Sequence, residues 1–274
     1  VGPGIGGLLV QAVRAPMAIA VDSVSFVLSA LFIGGIRTEE SRTTPHAAQA
    51  VASMRRSIAD GLRYVLRHPL LSRVGTSTAV FNFFSAVGMA VFLLYAVREL
   101  GIDPAAVGVV FSLGSIGFVV GAALTRRITE RLGVGRALAV AGLVQGGAFV
   151  LVPLAPRSTP LPYFVAAFAL ETCASPVYNI TQLSLRQAIT PTHMQGRMNA
   201  TMRFVVWGTL PLGSLVGGLL GHAIGLRATL WVSAVGATFG VVPLLGRSLR
   251  RLREIPDPEP EPRSAEAASV QPPD

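Results

Sequence analysis

One acidic side chain lies in the middle of an apolar stretch of this sequence. Glu171 stands midway along residues 161–185, and Ser175, Tyr178 and Gln182 follow it at helical spacing. At 3.6 residues per turn these four side chains fall within an arc of about 60°. A charge at the centre of a bilayer costs at least about 2.5–3.5 kcal/mol, so an acid there should face a cavity or a partner.

Burial in apolar surroundings favours the uncharged carboxyl. Glu171 is therefore a candidate proton carrier or substrate contact. Two alternatives are a permanently protonated group that only makes structural hydrogen bonds, and a position nearer the membrane surface than the spacing indicates.

Other polar side chains within apolar stretches extend this candidate cavity. Asn82 and Ser85 share a helical face with Thr78 and Met89. Hydrogen bonding between helices explains Asn82 equally well. Asp22 either lines the outer part of the cavity or caps against a neighbouring helix. The candidate substrate cavity comprises Asp22, Asn82, Ser85, Ser175, Tyr178 and Gln182.

The elements that carry these side chains follow from the composition. The 274 residues are 51% hydrophobic and only 14% charged, whereas soluble domains carry about 25% charged residues. An ordinary soluble enzyme and a disordered protein are thereby excluded, and no stretch alternates with the period of a membrane β-barrel. The sequence predicts an all-α polytopic membrane protein with seven complete spans of about 20 residues: 16–36, 70–95, 104–125, 136–155, 161–185, 202–222 and 227–246.

The basic residues set an orientation. All 23 are arginine, against 14 acidic residues. Nineteen of them lie in the segments that fall on one side of the predicted spans (37–73, 126–136, 186–203 and 247–263), and only four lie on the other side. This distribution indicates positive-inside anchoring rather than binding to nucleic acid, and it places the long loop and the C-terminus in the cytoplasm. The lone Cys173 excludes an internal disulfide, and the sequence has no metal-ligand spacing and no P-loop. We therefore expect no metal, no cofactor and no enzymatic activity.

Two segments lie outside the spans. Residues 37–69 form a cytoplasmic central loop whose second part, Ala52–Leu66, has apolar residues at helical spacing: Ile58, Leu62, Val65 and Leu66. This part is predicted to be an amphipathic helix on the inner membrane surface that bridges two halves, or else a solvated connector. Residues 247–274 are predicted to be a disordered cytoplasmic tail, most clearly in the Pro- and Glu-rich part from Pro256 onward.

Glycines recur along the sequence at spacings that suit helix packing. Gly213, Gly217 and Gly221 form one GxxxGxxxG seam, and Gly117 with Gly121 forms another. At the N-terminus the run Gly2-Pro3-Gly4-Ile5-Gly6-Gly7 combines such spacing with a helix-bending proline. The run resembles the fifth-helix signature of drug/proton antiporters of the major facilitator superfamily. The resemblance implies that four helices and part of a fifth precede Val1, so we expect a fragment.

The segment between the spans 104–125 and 136–155 carries a second motif. Gly121, Glu130, Arg131, Gly133 and Arg136 resemble the superfamily's cytoplasmic loop pattern, D/E-R-x-G-R-R. Val134 and Gly135 stand where further basic residues are expected. We expect the acid to pair across the loop, which makes the motif either an ionic latch at a cytoplasmic gate or only a positive-inside anchor.

The most specific run is Q-x-x-x-P-x-x-x-x-G-R-x-N-A within residues 178–203, where the second cytoplasmic loop carries Arg186, Pro191, Gly196 and Arg197. With two shorter runs it resembles bacterial macrolide-efflux and siderophore-exporter proteins of the same superfamily, over residues 1–250. The resemblance implies the major facilitator fold: helices five and six over 1–36 and the C-terminal six-helix half over 70–246.

The resemblance also implies proton-coupled efflux, by alternating access, of hydrophobic or amphipathic small molecules such as antibiotics or siderophores. Membrane lipid, protons, the substrate and the missing N-terminal half are the expected partners. The complete protein is expected to be a monomer in the bacterial inner membrane. An importer of the same fold and a transport-incompetent remnant or interaction subunit are the alternatives.

Overall fold

The computed structural model describes residues 15–35, 59–250 and 252–254, with only the backbone for residues 15–22 and 193. Every regular element within these ranges is helical, which confirms the predicted all-α class. The chain divides into two compact units, Val1–Met54 and Arg55–Asp274.

The first unit contains helix α1, Ala15–Gly34. Its 20 residues correspond to about 30 Å, the thickness of a bilayer core. The helix coincides with the span predicted at 16–36.

The second unit is a bundle of long helices with short connections. In chain order its elements are α2 (59–67), α3 (Pro69–Leu94, continued by a π-helical turn over Tyr95–Glu99), α4 (Pro104–Leu132), α5 (Val134–Ala148), α6 (Leu151–Leu154), α7 (Pro160–Ala188), α8 (Thr192–Ile224), α9 (Leu226–Phe239), a 3₁₀ turn (Val242–Leu245) and α10 (Arg247–Arg250).

The helix ends follow from particular residues. The Nδ1 atom of His68 accepts the backbone N–H groups of Leu70 and Leu71 at the start of α3. A carboxylate oxygen of Asp103 accepts the N–H of Ala105 at the start of α4. Proline occupies the first turn of both helices, where its missing N–H costs nothing.

Two tight connections depend on glycine. Gly133 separates α4 from α5 at φ +80°, and Gly225 separates α8 from α9 at φ +86°. Residues with a Cβ rarely adopt this region of backbone conformation.

Five helical segments in the described residues are long and apolar enough to cross a membrane: Pro69–Glu99, Pro104–Leu132, Val134–Leu154, Met194–Ile224 and Leu226–Leu245. Each coincides with a predicted span. Helix α7 matches the span predicted at 161–185 and has sufficient length, but its polar stripe lowers its mean hydropathy and it is not among the five. Helix α4 extends well beyond its predicted span at its C-terminal end, and α8 does so at its N-terminal end. These two helix ends and α2 carry several arginines, and we call this side of the bundle its arginine-rich end.

The glycine seams are packing surfaces, as predicted. A Cβ at Gly121 of α4 would lie 2.7 Å from the carbonyl carbon of Cys173 in α7. A Cβ at Gly217 of α8 would lie 2.9 Å from Val87 Cα in α3. At these positions the helix backbones approach so closely that only glycine fits.

Helix α2 belongs to the bundle. Val65 is buried against Leu71, Met198 and Met202, and a Cβ at Gly61 would meet the backbone of Arg197 at 3.1 Å. Of the apolar positions predicted for this helix, Val65 is buried, whereas Leu62 and Leu66 are exposed. The face toward the bundle therefore lies between Gly61 and Val65, because the glycine allows the helix to approach α8.

The C-terminal boundary differs from the prediction. Residues 247–250 form a helical turn, and Leu249 is completely buried against the bundle. The prediction of disorder from residue 247 is therefore wrong for residues 247–250 and 252–254, because Leu249 and Leu252 join the apolar cluster that includes Val134 and Leu138. The Pro- and Glu-rich remainder lies outside the described residues.

Candidate functional site

The polar stripe of α7 contacts α3 through the hydroxyl of Tyr178. Tyr178 is buried, and its hydroxyl lies 2.8 Å from Thr78 Oγ1. Thr78 Oγ1 also donates to the backbone carbonyl of Val74 at 2.8 Å. Because the single hydroxyl hydrogen of Thr78 is used there, Tyr178 is the donor to Thr78.

Near the C-terminal end of α3 and the N-terminal end of α7, the two helices contact each other through aromatic rings. The ring centroids of Phe92 and Phe168 are 5.2 Å apart, and Phe92 lies at the same distance from Phe164. Phe111 of α4 packs on Phe168 at 4.6 Å. These four rings form an apolar plug at this level, with edge-to-face and tilted geometries that favour such pairs.

Glu171 lies between these two contacts. It follows Phe168 by three residues and precedes Tyr178 by seven, so it stands about 10 Å along α7 from the tyrosine. On the antiparallel α3 the corresponding level runs from Ser85 to Met89. Glu171 is half-buried, and the described residues provide no hydrogen bond or salt bridge to its carboxylate. An acid in this position can take up and release a proton without breaking an ion pair.

The remaining predicted cavity residues have different surroundings. The amide nitrogen of Asn82 donates to the Val206 carbonyl of α8 at 3.4 Å, a weak contact between helices. Ser85 is half-buried on α3. Ser175 accepts a hydrogen bond from Asn179 within α7. Gln182 is buried, and its Oε1 atom has no hydrogen-bond partner in the described part of the chain. The side chain of Asp22 lies outside the described residues.

The composition of the spans did not indicate a polar pocket inside the bundle. Ser77, Gln145 and Tyr178, with apolar neighbours, line a small cavity of about 10 Å³ between α3, α5, α7 and α9, which is the least volume that holds one water. Each of these three residues is at most 5% exposed. The pattern that could have revealed the pocket is Gln145, an isolated amide within an otherwise apolar span.

The first loop motif has an unexpected ion pair. Glu130 binds the Nε atom of Arg126 at 2.7 Å, one turn earlier in the same helix, and both side chains are largely exposed. The expectation that Glu130 pairs across the loop is therefore wrong. Arg131 and Arg136 are exposed, Gly133 makes the turn, and Gly121 lies within the α4–α7 contact rather than in the loop.

The C-terminal segment covers this loop. The backbone N–H groups of Val134 and Gly135 donate to the carbonyls of Arg253 and Leu252 at 3.1 and 2.9 Å. A Cβ at Gly135 would lie 2.6 Å from the carbonyl carbon of Leu249. This contact gives a physical reason for glycine where the superfamily pattern has a basic residue, and it satisfies N–H groups that a helix start leaves unpaired.

The second loop motif fastens α7 to α8. A terminal nitrogen of Arg186 donates to the side-chain oxygen of Asn199 at 3.2 Å. Pro191 precedes the first turn of α8, Gly196 has open space around its Cα, and Arg197 is exposed. The motif's Asn199 is thus the partner that orients Arg186. The antiporter-like run Gly2, Pro3, Gly6 and Gly7 lies outside the described residues.

A bundle of membrane-length helices is the architecture of a polytopic membrane protein. The chain belongs to the transmembrane secretion effector family of the major facilitator superfamily, whose profile matches residues 1–268. The family is one of transporters rather than enzymes.

Three curated relatives illustrate the similarity. The multidrug efflux pump Tap of Mycolicibacterium fortuitum is 27% identical over 93% of this chain and 61% of its own length. The pump of the same name from Mycobacterium tuberculosis H37Rv is 26% identical over 93% and 60%. The MFS-type transporter YfiS of Bacillus subtilis is 26% identical over 92% and 61%. The chain thus spans about 60% of the length of these relatives.

Proposed function

We propose that the complete protein exports hydrophobic or amphipathic small molecules in exchange for protons, and that Glu171 carries the proton. The observation that supports the proposal most directly is the half-buried carboxyl of Glu171 on a membrane-length helix, without an ion-pair partner in the described residues. A charged acid inside a membrane has an unfavourable free energy of insertion. A role in proton coupling would account for an acid at this position.

The surroundings of Glu171 suit an exchange of cargo and proton. The aromatic plug of Phe92, Phe111, Phe164 and Phe168 lies on one side of its level, and the Tyr178–Thr78 hydrogen bond lies on the other. A molecule beside Glu171 would meet apolar rings at one end and hydroxyl groups at the other. This combination favours amphipathic cargo such as an antibiotic or a siderophore, and two of the relatives are named multidrug efflux pumps.

The proposed orientation places the arginine-rich end of the bundle and the C-terminus in the cytoplasm of a bacterium, with the protein in the inner membrane. Glu171 then takes a proton from outside and releases it inside as the substrate leaves. Entry of each proton is worth about 2.3 kcal/mol per 100 mV of membrane potential, before any pH gradient.

The proposed mechanism is alternating access between two helical halves. The chain supplies the half that bears Glu171, and we infer a second half that faces it and completes a monomeric transporter. The additional length of the relatives supports this inference, since about 40% of it lies outside the match.

The test is transport by Glu171→Gln in the full-length protein, in inverted vesicles that receive an imposed pH gradient. We expect the variant to bind an amphipathic fluorescent dye and to lose dye accumulation driven by the gradient. Glu99→Gln, at the far end of the same bundle, is the matched control and keeps transport. Unchanged gradient-driven transport by Glu171→Gln would contradict the coupling role. Movement of the dye in the same direction as protons would instead indicate an importer, and no transport by the parent protein would indicate an incompetent remnant.

A further inference from the structure

A wide groove lies at the arginine-rich end of the bundle, beside the start of α3. Its volume is about 460 Å³, and it is lined by Asp60, Arg63, Tyr64, Arg67, His68 and Met194. The groove is open to its surroundings and lies between α2 and the first turns of α3 and α8. It is separate from the polar stripe of α7.

The groove is rich in groups that bind anions. Arg63 and Arg67 are one helical turn apart on α2, both are exposed, and neither has a carboxylate within salt-bridge distance in the described residues. The Nδ1 atom of His68 accepts two backbone N–H groups, which holds its ring at the start of α3. Asp60 is the one acidic side chain on the wall, and the cationic groups outnumber it.

The walls of the groove are held in place. The hydroxyl of Tyr64 donates to the carbonyl of Ile189 at 3.1 Å, and the rings of Tyr64 and His68 are 6.0 Å apart. Val65 is only 4% exposed where α2 packs on the bundle. The two guanidinium groups therefore project from a helix whose position is fixed by buried contacts.

The same helix presents apolar side chains next to its arginines. Leu62 and Leu66 are exposed at 39% and 62%, and each directly precedes one of the arginines in the sequence. A helix with an arginine stripe beside a leucine stripe suits the boundary between headgroups and acyl chains of a bilayer. Under the proposed orientation this boundary is the cytoplasmic leaflet, whose surface is negatively charged.

We propose that this groove binds the headgroup of an anionic phospholipid, with the Arg63 and Arg67 guanidinium groups on the phosphate and with Leu62 and Leu66 against the acyl chains. Charge complementarity to the leaflet selects the lipid as occupant. The proposal rests on the proposed orientation for its cellular setting, but lipid binding by the purified protein is independent of orientation and of transport.

The test uses the full-length protein purified in a neutral detergent. Binding of phosphatidylglycerol and of phosphatidylcholine with identical acyl chains is measured by native mass spectrometry and by the lipid-induced rise in thermal unfolding midpoint. The parent should bind phosphatidylglycerol in preference. Arg63→Gln with Arg67→Gln should weaken that binding about tenfold or more at low ionic strength, because each arginine near an anionic surface contributes substantially.

The matched control is Arg127→Gln with Arg131→Gln. These residues are also exposed, also one turn apart on a helix, and also at the arginine-rich end, but they lie outside the groove. The control pair should retain the preference of the parent. Equal losses in both double variants would overturn the proposal in favour of unspecific charge attraction. An equal rise in the unfolding midpoint with inorganic phosphate alone would overturn it in favour of a free-anion site.

The two neutralised arginines are exposed, so the groove variant should have the parent's unfolding midpoint without added lipid. A groove variant that keeps full preference for phosphatidylglycerol would overturn the proposal. Loss of lipid binding with normal transport in the groove variant would show that the lipid site works independently of Glu171. Normal lipid binding with loss of transport in Glu171→Gln would show the same.

Discussion

The hydroxyl of Tyr178 donates to Thr78 Oγ1 at 2.8 Å and joins α7 to α3 in the interior of the bundle. The hydroxyl of Thr78 donates a hydrogen bond to the Val74 carbonyl. Tyr178, Thr78 and Val74 therefore form one chain of hydrogen bonds. In a membrane interior few other partners exist for a buried hydroxyl. This bond fixes the level of α7 relative to α3 and thereby the depth of Glu171.

We expect Tyr178→Phe to lower the stability of the bundle by about 1 kcal/mol, because it removes the donor while Thr78 keeps its bond to Val74. The measurement is the thermal unfolding midpoint of the full-length protein in detergent. Tyr163→Phe is the control, since Tyr163 is partly exposed at the other end of α7. Equal shifts in the two variants would show that the contact between Tyr178 and Thr78 contributes nothing of its own.

Much of this arrangement could be predicted from the sequence. Apolar length alone located the helices, because a bilayer imposes one length on every span. The four-residue glycine spacing correctly predicted that two helix faces are packing surfaces, and the structure supplies their partners, α3 against α8 and α4 against α7. Helical arithmetic placed Tyr178 and Gln182 on one face, and the structure buries both.

The rest depends on which of several possible partners a side chain takes and on contacts between segments far apart in the sequence. Ser175 accepts a hydrogen bond from Asn179 in its own helix, and its assignment to the cavity stays a prediction. Glu130 was assigned a partner across the loop, but an arginine one turn away was nearer. The segments 247–250 and 252–254 dock through the buried Leu249, the half-buried Leu252 and two backbone hydrogen bonds from the start of α5, all of them contacts between residues far apart in the sequence.

The seam between α3 and α8 should tolerate a methyl group at one glycine and not at its neighbour. Gly217→Ala places a Cβ 2.9 Å from Val87 Cα, whereas Gly218→Ala meets nothing within 4 Å. Overpacking costs about 1–3 kcal/mol, and alanine in an open helical position gains up to about 1 kcal/mol over glycine. We expect Gly217→Ala to lower the thermal unfolding midpoint and Gly218→Ala to preserve or raise it. The same shift in both would contradict a close approach at this seam.

The docked C-terminal segment should be released by a side chain at position 135. Gly135→Ala directs a Cβ into the carbonyl group of Leu249, so the hydrogen bonds from Val134 and Gly135 to residues 252 and 253 should break. Limited proteolysis with trypsin, which cleaves after arginine, should then cut between residues 247 and 253 several times faster than in the parent. Gly196→Ala, where space is open, should leave the rate unchanged. Unaltered cleavage in Gly135→Ala would show that the segment does not depend on this contact.

The second loop motif should show energetic coupling between its two helices. Arg186 donates to the Asn199 side chain at 3.2 Å, and hydrogen bonds to charged groups contribute about 1.5–3 kcal/mol. A double-mutant cycle of Arg186→Ala and Asn199→Ala isolates the pair, with reversible unfolding in detergent as the measurement. We expect the double variant to be less destabilised than the sum of the single variants by about 1 kcal/mol or more. The control cycle pairs Arg197→Ala with Asn199→Ala, because Arg197 is exposed and its guanidinium contacts the Met194 sulfur rather than Asn199. Additive behaviour in both cycles would assign Arg186 to membrane anchoring alone, whereas coupling in the first cycle only would establish that the motif's arginine and asparagine hold α7 and α8 together.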